Sequence, residues 1–184
     1  MGVKRSKIKR SWYFFHQQIE NQFLQRSINR IYRFTYHGTY VHEDCTIDID
    51  KELKFFNNFI AKTIIQPYRS EWRIFDKSLK IAGTIDMISK NNDGTYDIYD
   101  WKRSSRLYKD NPFQHGLGQL HHLEDTPRNH YYLQQNLYRY ILEHQYGLKI
   151  RFMKLVVLHS DYNDYDVIVV PEMDMEISTI IEML

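Results

Sequence analysis

The spacing of apolar residues predicts helices first and strands later along the chain. Apolar side chains recur at helical spacing in the N-terminal third and again over residues 50–65. Three segments rich in Ile, Tyr and Trp follow, and their composition is typical of strands: residues 68–76, 79–90 and 95–103. These segments predict a three-stranded antiparallel region after two helices.

The second half predicts one more helix between strands. A long irregular segment, residues 104–130, precedes a helical stretch at 131–146 that Gly147 closes. Two strands at 150–159 and 164–170 and a last helix at 172–184 complete the chain. The order α-α-β-β-β-α-β-β-α is typical of an α/β sandwich with a central mixed β-sheet flanked by helices. We expect residues 1–184 to form a single domain.

Composition narrows the class of protein. The chain has 184 residues, 42% of them hydrophobic, which excludes a disordered composition. Cys45 is the only cysteine, so an internal disulfide, a four-cysteine zinc site and a four-cysteine iron–sulfur cluster are excluded. No apolar run approaches the roughly 18 residues of a membrane span, and no signal peptide is evident. We expect a soluble intracellular protein of the cytoplasm or nucleus.

The stretch 82–103 predicts a hairpin that brings two aspartates together. Residues 92–94 suit a three-residue loop that ends with Gly in the left-handed conformation. Counting back from that loop pairs Ile88 with Ile98 and places Asp86 opposite Asp100. A two-residue loop would shift the register and put the aspartates on opposite faces.

Such a carboxylate pair is typical of a binding site for a divalent cation. Like charges directly across two strands are destabilising, and a divalent cation removes the conflict. Mg²⁺ prefers oxygen ligands and is commonly held by one or two carboxylates. Lys102 is two residues past Asp100 and shares its face, where it could orient a water or neutralise charge. The alternative is that Asp100 and Lys102 are ordinary exposed residues of an edge strand.

The same residues resemble a known family. The segments AGTIDMI, YDIYDWKRS and LQQNLYRYIL are similar to motifs of the PD-(D/E)XK nuclease superfamily, in particular its RecB-type and mitochondrial-genome-maintenance-type exonucleases. The resemblance implies a restriction-endonuclease-like α/β sandwich. It also implies hydrolysis of phosphodiester bonds with one or two Mg²⁺ or Mn²⁺ ions.

The resemblance implies roles for the hairpin residues. Asp86 matches the first metal-binding aspartate of the family, and Asp100 with Lys102 matches its D-x-K element. The backbone carbonyl of Trp101 is a further metal ligand in such folds. Together these residues form the expected metal and catalytic centre.

Three further matches lie elsewhere in the chain. Gln134 and Tyr138 match the Q-x-x-x-Y element of the RecB-like branch, which borders the site and helps to hold the nucleic acid. They lie at i and i+4 of a predicted helix and therefore share a face. His16 and Glu20 match an upstream H-x-x-x-E element whose histidine can bind metal, although His16 equally suits a packed core position. Glu71 matches a glutamate on the strand before the aspartate, or it forms a salt bridge instead.

The irregular segment after Lys102 carries candidate contacts to nucleic acid. Basic and aromatic side chains alternate there and would suit phosphate contact and base stacking with a single strand: Arg103, Arg106, Tyr108 and Lys109. The alternative is an ordinary polar loop. The segment also holds four histidines whose spacing fits no closed zinc site, so surface or substrate-facing roles are favoured: His115, His121, His122 and His130.

These observations favour a DNA exonuclease that acts on single-stranded or end-bearing DNA in replication, repair or recombination. The chain carries no helicase motif, so a helicase-coupled role requires either a flanking domain or a partner, such as a helicase or a replication or recombination protein. Two alternatives stay open: an RNA endonuclease with the same fold, and a non-catalytic nucleic-acid-binding scaffold. The Tyr- and Asn-rich composition suggests a viral or phage origin.

Overall fold

A computed structural model describes Ile19, Thr39–His42 and residues 45–184. The described residues belong to two compact units. One contains the described residues up to Ile65 together with Val157–Asp166, and the other contains Gln66–Val156 and Val167–Leu184. Except for Ile19, which is helical, the first predicted helix lies outside the described residues.

The first unit contains a short hairpin and a helix. Strands β1 (Thr39–His42) and β2 (Cys45–Asp48) pair antiparallel, and helix α1 (Asp50–Lys62) follows directly. The helix confirms the prediction for residues 50–65 but ends three residues earlier, because Thr63 is extended. Its apolar side chains are buried at the predicted helical spacing: Leu53, Phe55, Phe56, Phe59 and Ile60.

The predicted mixed sheet is confirmed. Its five strands stand in chain order: β3 (Pro67–Asp76), β4 (Ile81–Lys90), β5 (Tyr96–Lys102), β6 (Ile150–Val157) and β7 (Asp166–Val169). The first three pair antiparallel. The backbone N–H of Tyr96 donates to the carbonyl of Lys149, so β5 and β6 begin side by side, as strands joined by a helical crossover do.

Strand β5 is the middle strand of this sheet and is buried along its whole length. A strand covered on both faces is expected to be almost entirely apolar. Strand β5 nevertheless carries three charged residues: Asp97, Asp100 and Lys102. Each of these charges must therefore have partners close by.

Helix α2 (Pro127–Tyr146) covers the sheet and packs against β3. It begins four residues before the predicted start, because the Thr126 side chain accepts from the backbone N–H of Asn129 and caps it. Gly147 closes it in the left-handed conformation, with a φ of 65°, as predicted. Helix α3 (Asp174–Glu182) packs against α2.

The segment between β5 and α2 holds one short 3₁₀ helix, Gly118–Leu120. It is folded onto itself, since the N–H of Gly116 donates to Leu123 and the N–H of Asp125 donates to Gln114. In the part of the chain that is described, none of the helices has the length and apolar character needed to cross a membrane.

Candidate active site

The hairpin between β4 and β5 has the predicted loop and register. Gly94 has a φ of 84°, and the N–H of Asn91 donates to the carbonyl of Thr95 at 2.8 Å. Ile88 pairs with Ile98, and the ladder ends at the next pair, Met87 with Tyr99. The following step along both strands is Asp86 and Asp100, so the aspartates lie where regular pairing stops.

The two carboxylates are buried at this point. Asp86 is 9% exposed and Asp100 is 4% exposed. Oδ2 of Asp86 accepts a hydrogen bond from the backbone N–H of Trp101 at 2.8 Å. The carboxylate of Asp86 therefore reaches across to β5, beside the residue that follows Asp100.

Lys102 balances one of these charges. Its Nζ lies 2.5 Å from Oδ2 of Asp100 and 4.0 Å from the centre of the Tyr131 ring. Burial alone would lower the pKa of Lys102, but the negative charges of Asp100 and Asp86 outweigh it, and the pKa is raised. The side chain is therefore an ammonium ion at neutral pH, and it serves as a cation and hydrogen-bond donor.

Helix α2 completes the site from above the sheet. Nε2 of Gln134 donates to the Tyr138 hydroxyl at 3.0 Å, so the predicted i, i+4 pair does share a face. The Tyr138 ring packs onto Gly83 so closely that a Cβ there would collide with it. Burial, followed by the negative charge of Asp100, raises the pKa of Tyr138. Tyr138 thus stays a neutral phenol next to the acidic pair.

Gln135 is a site residue that the sequence analysis missed. Its Nε2 donates to Oδ1 of Asp100 at 2.9 Å, and the residue is 1% exposed. The available signal was its position on the helix, because Gln135, Tyr138 and Leu142 form one buried stripe at i, i+3 and i+7. A glutamine on an otherwise buried stripe needs a polar partner across the interface.

Comparison with known families decides what kind of site this is. Residues 11–161 match the family model of the PD-(D/E)XK nuclease superfamily. The chain belongs to this superfamily. The match covers most of the chain and includes the carboxylates, Lys102 and the helix that carries Gln134.

Solved structures add only distant similarity, and no curated protein matches. A candidate exonuclease from Eubacterium rectale is 13% identical, with a TM-score of 0.46, and the alignment covers 73% of this chain and 48% of that one. A protein named SSO0001 is 17% identical, with a TM-score of 0.35, and the alignment covers 72% and 53% of the two chains. The present chain spans about half the length of these structures.

Nucleases of this superfamily generally use divalent metal ions, and the oxygen atoms of this site fit such an ion. Two buried carboxylates, Asp86 and Asp100, meet at one end of β5, and the Trp101 carbonyl belongs to the same strand. Oxygen donors of this kind suit Mg²⁺, which often completes its shell with water and substrate oxygen. Among the described residues, no three His, Cys, Asp or Glu side chains gather into a metal cluster.

Glu71, on the neighbouring strand β3, lies opposite Asp86. Ser70 pairs with Met87 and Trp72 pairs with Ile85, so the register places Glu71 across from Asp86. Glu71 has a φ of 45°, which side chains other than Gly rarely adopt within a strand. Strained backbone of this type often occurs at functional sites. The predicted upstream residues, His16 and Glu20, lie outside the described residues.

The predicted nucleic-acid contacts follow the site along the chain. Leu107 is fully buried and anchors this part of the segment. Arg106, Tyr108 and Lys109 are exposed on either side of it, and Arg103 is half-buried. The anchored segment thus presents two cations and an aromatic ring to solvent just after Lys102.

The four histidines of the segment do not form one site among the described residues. The rings of His115 and His121 stack 5.1 Å apart. His122 contacts Glu176 at 2.8 Å, and His130 contacts Asp125 at 2.7 Å. They are divided among three separate contacts.

Proposed function

We propose that this superfamily member is a divalent-metal-dependent nuclease that cleaves DNA, acting as an exonuclease on single-stranded or end-bearing DNA. The observation that carries the proposal is the arrangement of Asp86, Asp100 and Lys102 in a buried part of the sheet. Two carboxylates that approach each other across neighbouring strands repel, and this repulsion favours a positive charge between them. A bound divalent cation would supply it.

The proposed ligands are oxygen atoms of the two central strands. Asp86, Asp100 and the Trp101 carbonyl would hold one or two Mg²⁺ or Mn²⁺ ions, and Glu71 and His16 are further candidate ligands. When bound, such an ion polarises the phosphodiester and makes water a better nucleophile near neutral pH.

Lys102 acts on the reacting groups as a fixed donor. Its raised pKa keeps it protonated, so it can orient the attacking water and neutralise charge on the scissile phosphate. In the net reaction the water oxygen forms a bond to phosphorus, a P–O ester bond breaks, and one proton of the water ends on the oxygen of the released alcohol. The ring of Tyr131, 4.0 Å from Nζ, helps to fix the direction of the ammonium group.

Residues around the site would hold the substrate. Gln134 and Tyr138 support the substrate side, and their hydrogen bond on the helix after the D-x-K strand is the feature that favours the RecB-type branch. Arg103, Arg106 and Lys109 would contact phosphates, and Tyr108 would stack on a base. We further propose that this nuclease activity serves replication, repair or recombination. A helicase or another protein of these processes would be its partner.

The test is cleavage of end-labelled DNA, single-stranded and duplex, linear and circular, with Mg²⁺ or Mn²⁺ and with EDTA. We expect the wild type to degrade linear but not circular DNA only when the metal is present. Cleavage of circles would identify an endonuclease instead. If DNA stays intact and labelled RNA is cut, the substrate is RNA, whereas inactivity on both would favour the non-catalytic scaffold.

A further inference from the structure

We propose that Gln135 is a positioning residue that orients the Asp100 carboxylate for metal binding. The inference rests on the proposed function, because it concerns the same metal centre. Gln135 does not belong to the Q-x-x-x-Y pair, which consists of Gln134 and Tyr138, and nothing in the family motifs draws attention to it.

The hydrogen bond between these residues has a defined direction. A carboxylate only accepts hydrogen bonds, so the amide group that faces Oδ1 of Asp100 must be the NH₂ of Gln135. Gln135 is 1% exposed and its donor lies 2.9 Å away from Oδ1, so water does not compete for this contact. The orientation of the amide is therefore set by the chemistry of its partner.

The two oxygen atoms of Asp100 contact groups of different charge, one through an ion pair and the other through a hydrogen bond. Lys102 holds Oδ2 with an ammonium group, and Gln135 holds Oδ1 with a neutral amide. A cation that binds Asp100 must compete with the ammonium group for the negative charge. The neutral amide carries no positive charge to repel the metal. Gln135 can thus keep the carboxylate in place whether Lys102 or a metal ion occupies the other side.

The oxygen atom of the Gln135 amide supports a role in a site that holds a metal ion. Oε1 of Gln135 is buried and has no hydrogen-bond partner among the described residues, and the same is true of Oε1 of Gln134. A buried acceptor without a donor is destabilising, because the acceptor has lost its hydrogen bonds to water. Two neighbouring glutamines on the helix that contacts Asp100 share this lack of a donor. We take this as a sign that donors arrive with the ligand, such as water around a metal ion.

The same helix offers a matched control. Nε2 of Gln145 donates to Oδ2 of Asp76 at 2.9 Å, so this pair is a second amide–carboxylate bond between α2 and the sheet. Asp76 also accepts from Ser78 and Leu79 and has no part in the proposed centre. Gln145→Met removes the same kind of hydrogen bond from the same helix and leaves Asp100 unchanged.

The experiment is calorimetric titration of Mn²⁺ into the wild type, Gln135→Met and Gln145→Met, all without DNA. Methionine keeps the length of glutamine but cannot donate. Partners that orient metal ligands typically change metal affinity by about 10–100-fold when removed, and we expect a weakening in this range for Gln135→Met. We expect Gln145→Met to bind Mn²⁺ within about twofold of the wild type, a change below about 0.4 kcal/mol.

The outcomes separate the inference from the proposed function. Equal Mn²⁺ affinity in Gln135→Met and the wild type overturns the positioning role and leaves the nuclease intact. A wild type that neither binds Mn²⁺ nor cleaves DNA overturns the proposed function itself. If Gln135→Met does not fold, Gln135→Asn keeps a polar amide but withdraws the donor from Asp100, and unchanged Mn²⁺ binding in that variant would overturn the inference.

Discussion

The two ends of strand β5 each bury an aspartate, and the described residues around the two aspartates differ. Asp97 is 2% exposed and accepts hydrogen bonds from Arg151, Lys154 and Asn91 at 2.9–3.0 Å. Two cations therefore surround one carboxylate at that end. Nothing more is needed there, and the cluster ties β5 to β6 and to the hairpin loop.

At the other end, the ammonium group of Lys102 interacts with two carboxylates. Asp86 and Asp100 share the ammonium group of Lys102, and two buried amide oxygens beside them lack donors among the described residues. The comparison teaches that burial of an aspartate does not mark a functional site. A pair of neighbouring carboxylates, together with buried acceptors that lack donors among the described residues, is a stronger mark, because a bound ligand can supply both a positive charge and donors.

The largest expected effect concerns the end of β5 at Asp100, beside Asp86, which we call the acidic end. A substitution there should change cleavage and metal binding in opposite directions. Lys102→Ala should lower the cleavage rate by at least about 10³-fold, because a fixed charge in the transition state is lost. The same variant should bind Mn²⁺ more tightly than the wild type, since the ammonium group no longer competes for Asp100. Single-turnover cleavage and calorimetry measure the two effects. Retained cleavage would remove Lys102 from the mechanism, and weaker Mn²⁺ binding would contradict the competition.

A substitution at the Asp97 end of β5 should lower stability without affecting cleavage. Asp97→Asn leaves Arg151 and Lys154 without their carboxylate, and we expect the free energy of unfolding to fall by about 2–3 kcal/mol. Cleavage below the melting temperature should stay within about twofold of the wild type, a difference of about 0.4 kcal/mol. Urea denaturation with a cleavage assay checks both. A large loss of activity in the folded variant would show that Asp97 also contributes to cleavage, and the proposed difference between the two ends would be wrong.

The contribution of Asp97 should also depend on pH. Burial alone would raise the pKa of Asp97, but hydrogen bonds from Arg151, Lys154 and Asn91 outweigh it, and the pKa is lowered. A carboxyl group whose pKa is lower in the folded state stabilises that state. Its contribution to the free energy of unfolding is complete above the unfolded pKa of about 3.9 and is lost as the pH falls through the pKa of the folded state. The stability gap between wild type and Asp97→Asn should therefore shrink from pH 7 to pH 3. A constant gap in urea titrations would contradict this account.

The smallest expected effect compares the rings that lie beside the two lysines. Nζ of Lys102 lies 4.0 Å from the Tyr131 ring centre, and Nζ of Lys154 lies 5.3 Å from that of Phe152. Removing one such contact is worth about 0.5–2 kcal/mol, so Tyr131→Leu should slow cleavage by roughly 2–30-fold. Phe152→Leu should leave the rate unchanged. Equal rates in the two variants would show that the Tyr131 ring does not hold Lys102 for the reaction.

Much of the sheet could be predicted from the sequence, because local signals were strong there. The loop at residues 92–94 fixes the register of β4 and β5, and that register predicted the neighbouring positions of Asp86 and Asp100. The strands β1 and β2 were missed, since four residues each are too short to show a periodic pattern.

The partners of the buried charges could not be predicted, because they come from distant parts of the chain. Gln135 reaches Asp100 across 35 positions, and Arg151 and Lys154 reach Asp97 across 54 and 57 positions. Spacing along one strand shows that Asp97 and Asp100 lie three residues apart but not which helix or strand covers each of them. The different surroundings of Asp97 and Asp100 therefore became visible only in the fold.

Calorimetric titration of Mn²⁺ into the wild type, Asp100→Asn and Asp97→Asn tests which end of β5 holds the metal. We expect Asp97→Asn to bind Mn²⁺ as the wild type does and Asp100→Asn to lose binding. Undiminished binding in Asp100→Asn, or loss of binding in a folded Asp97→Asn, would contradict the claim that the acidic end of β5 is the metal centre.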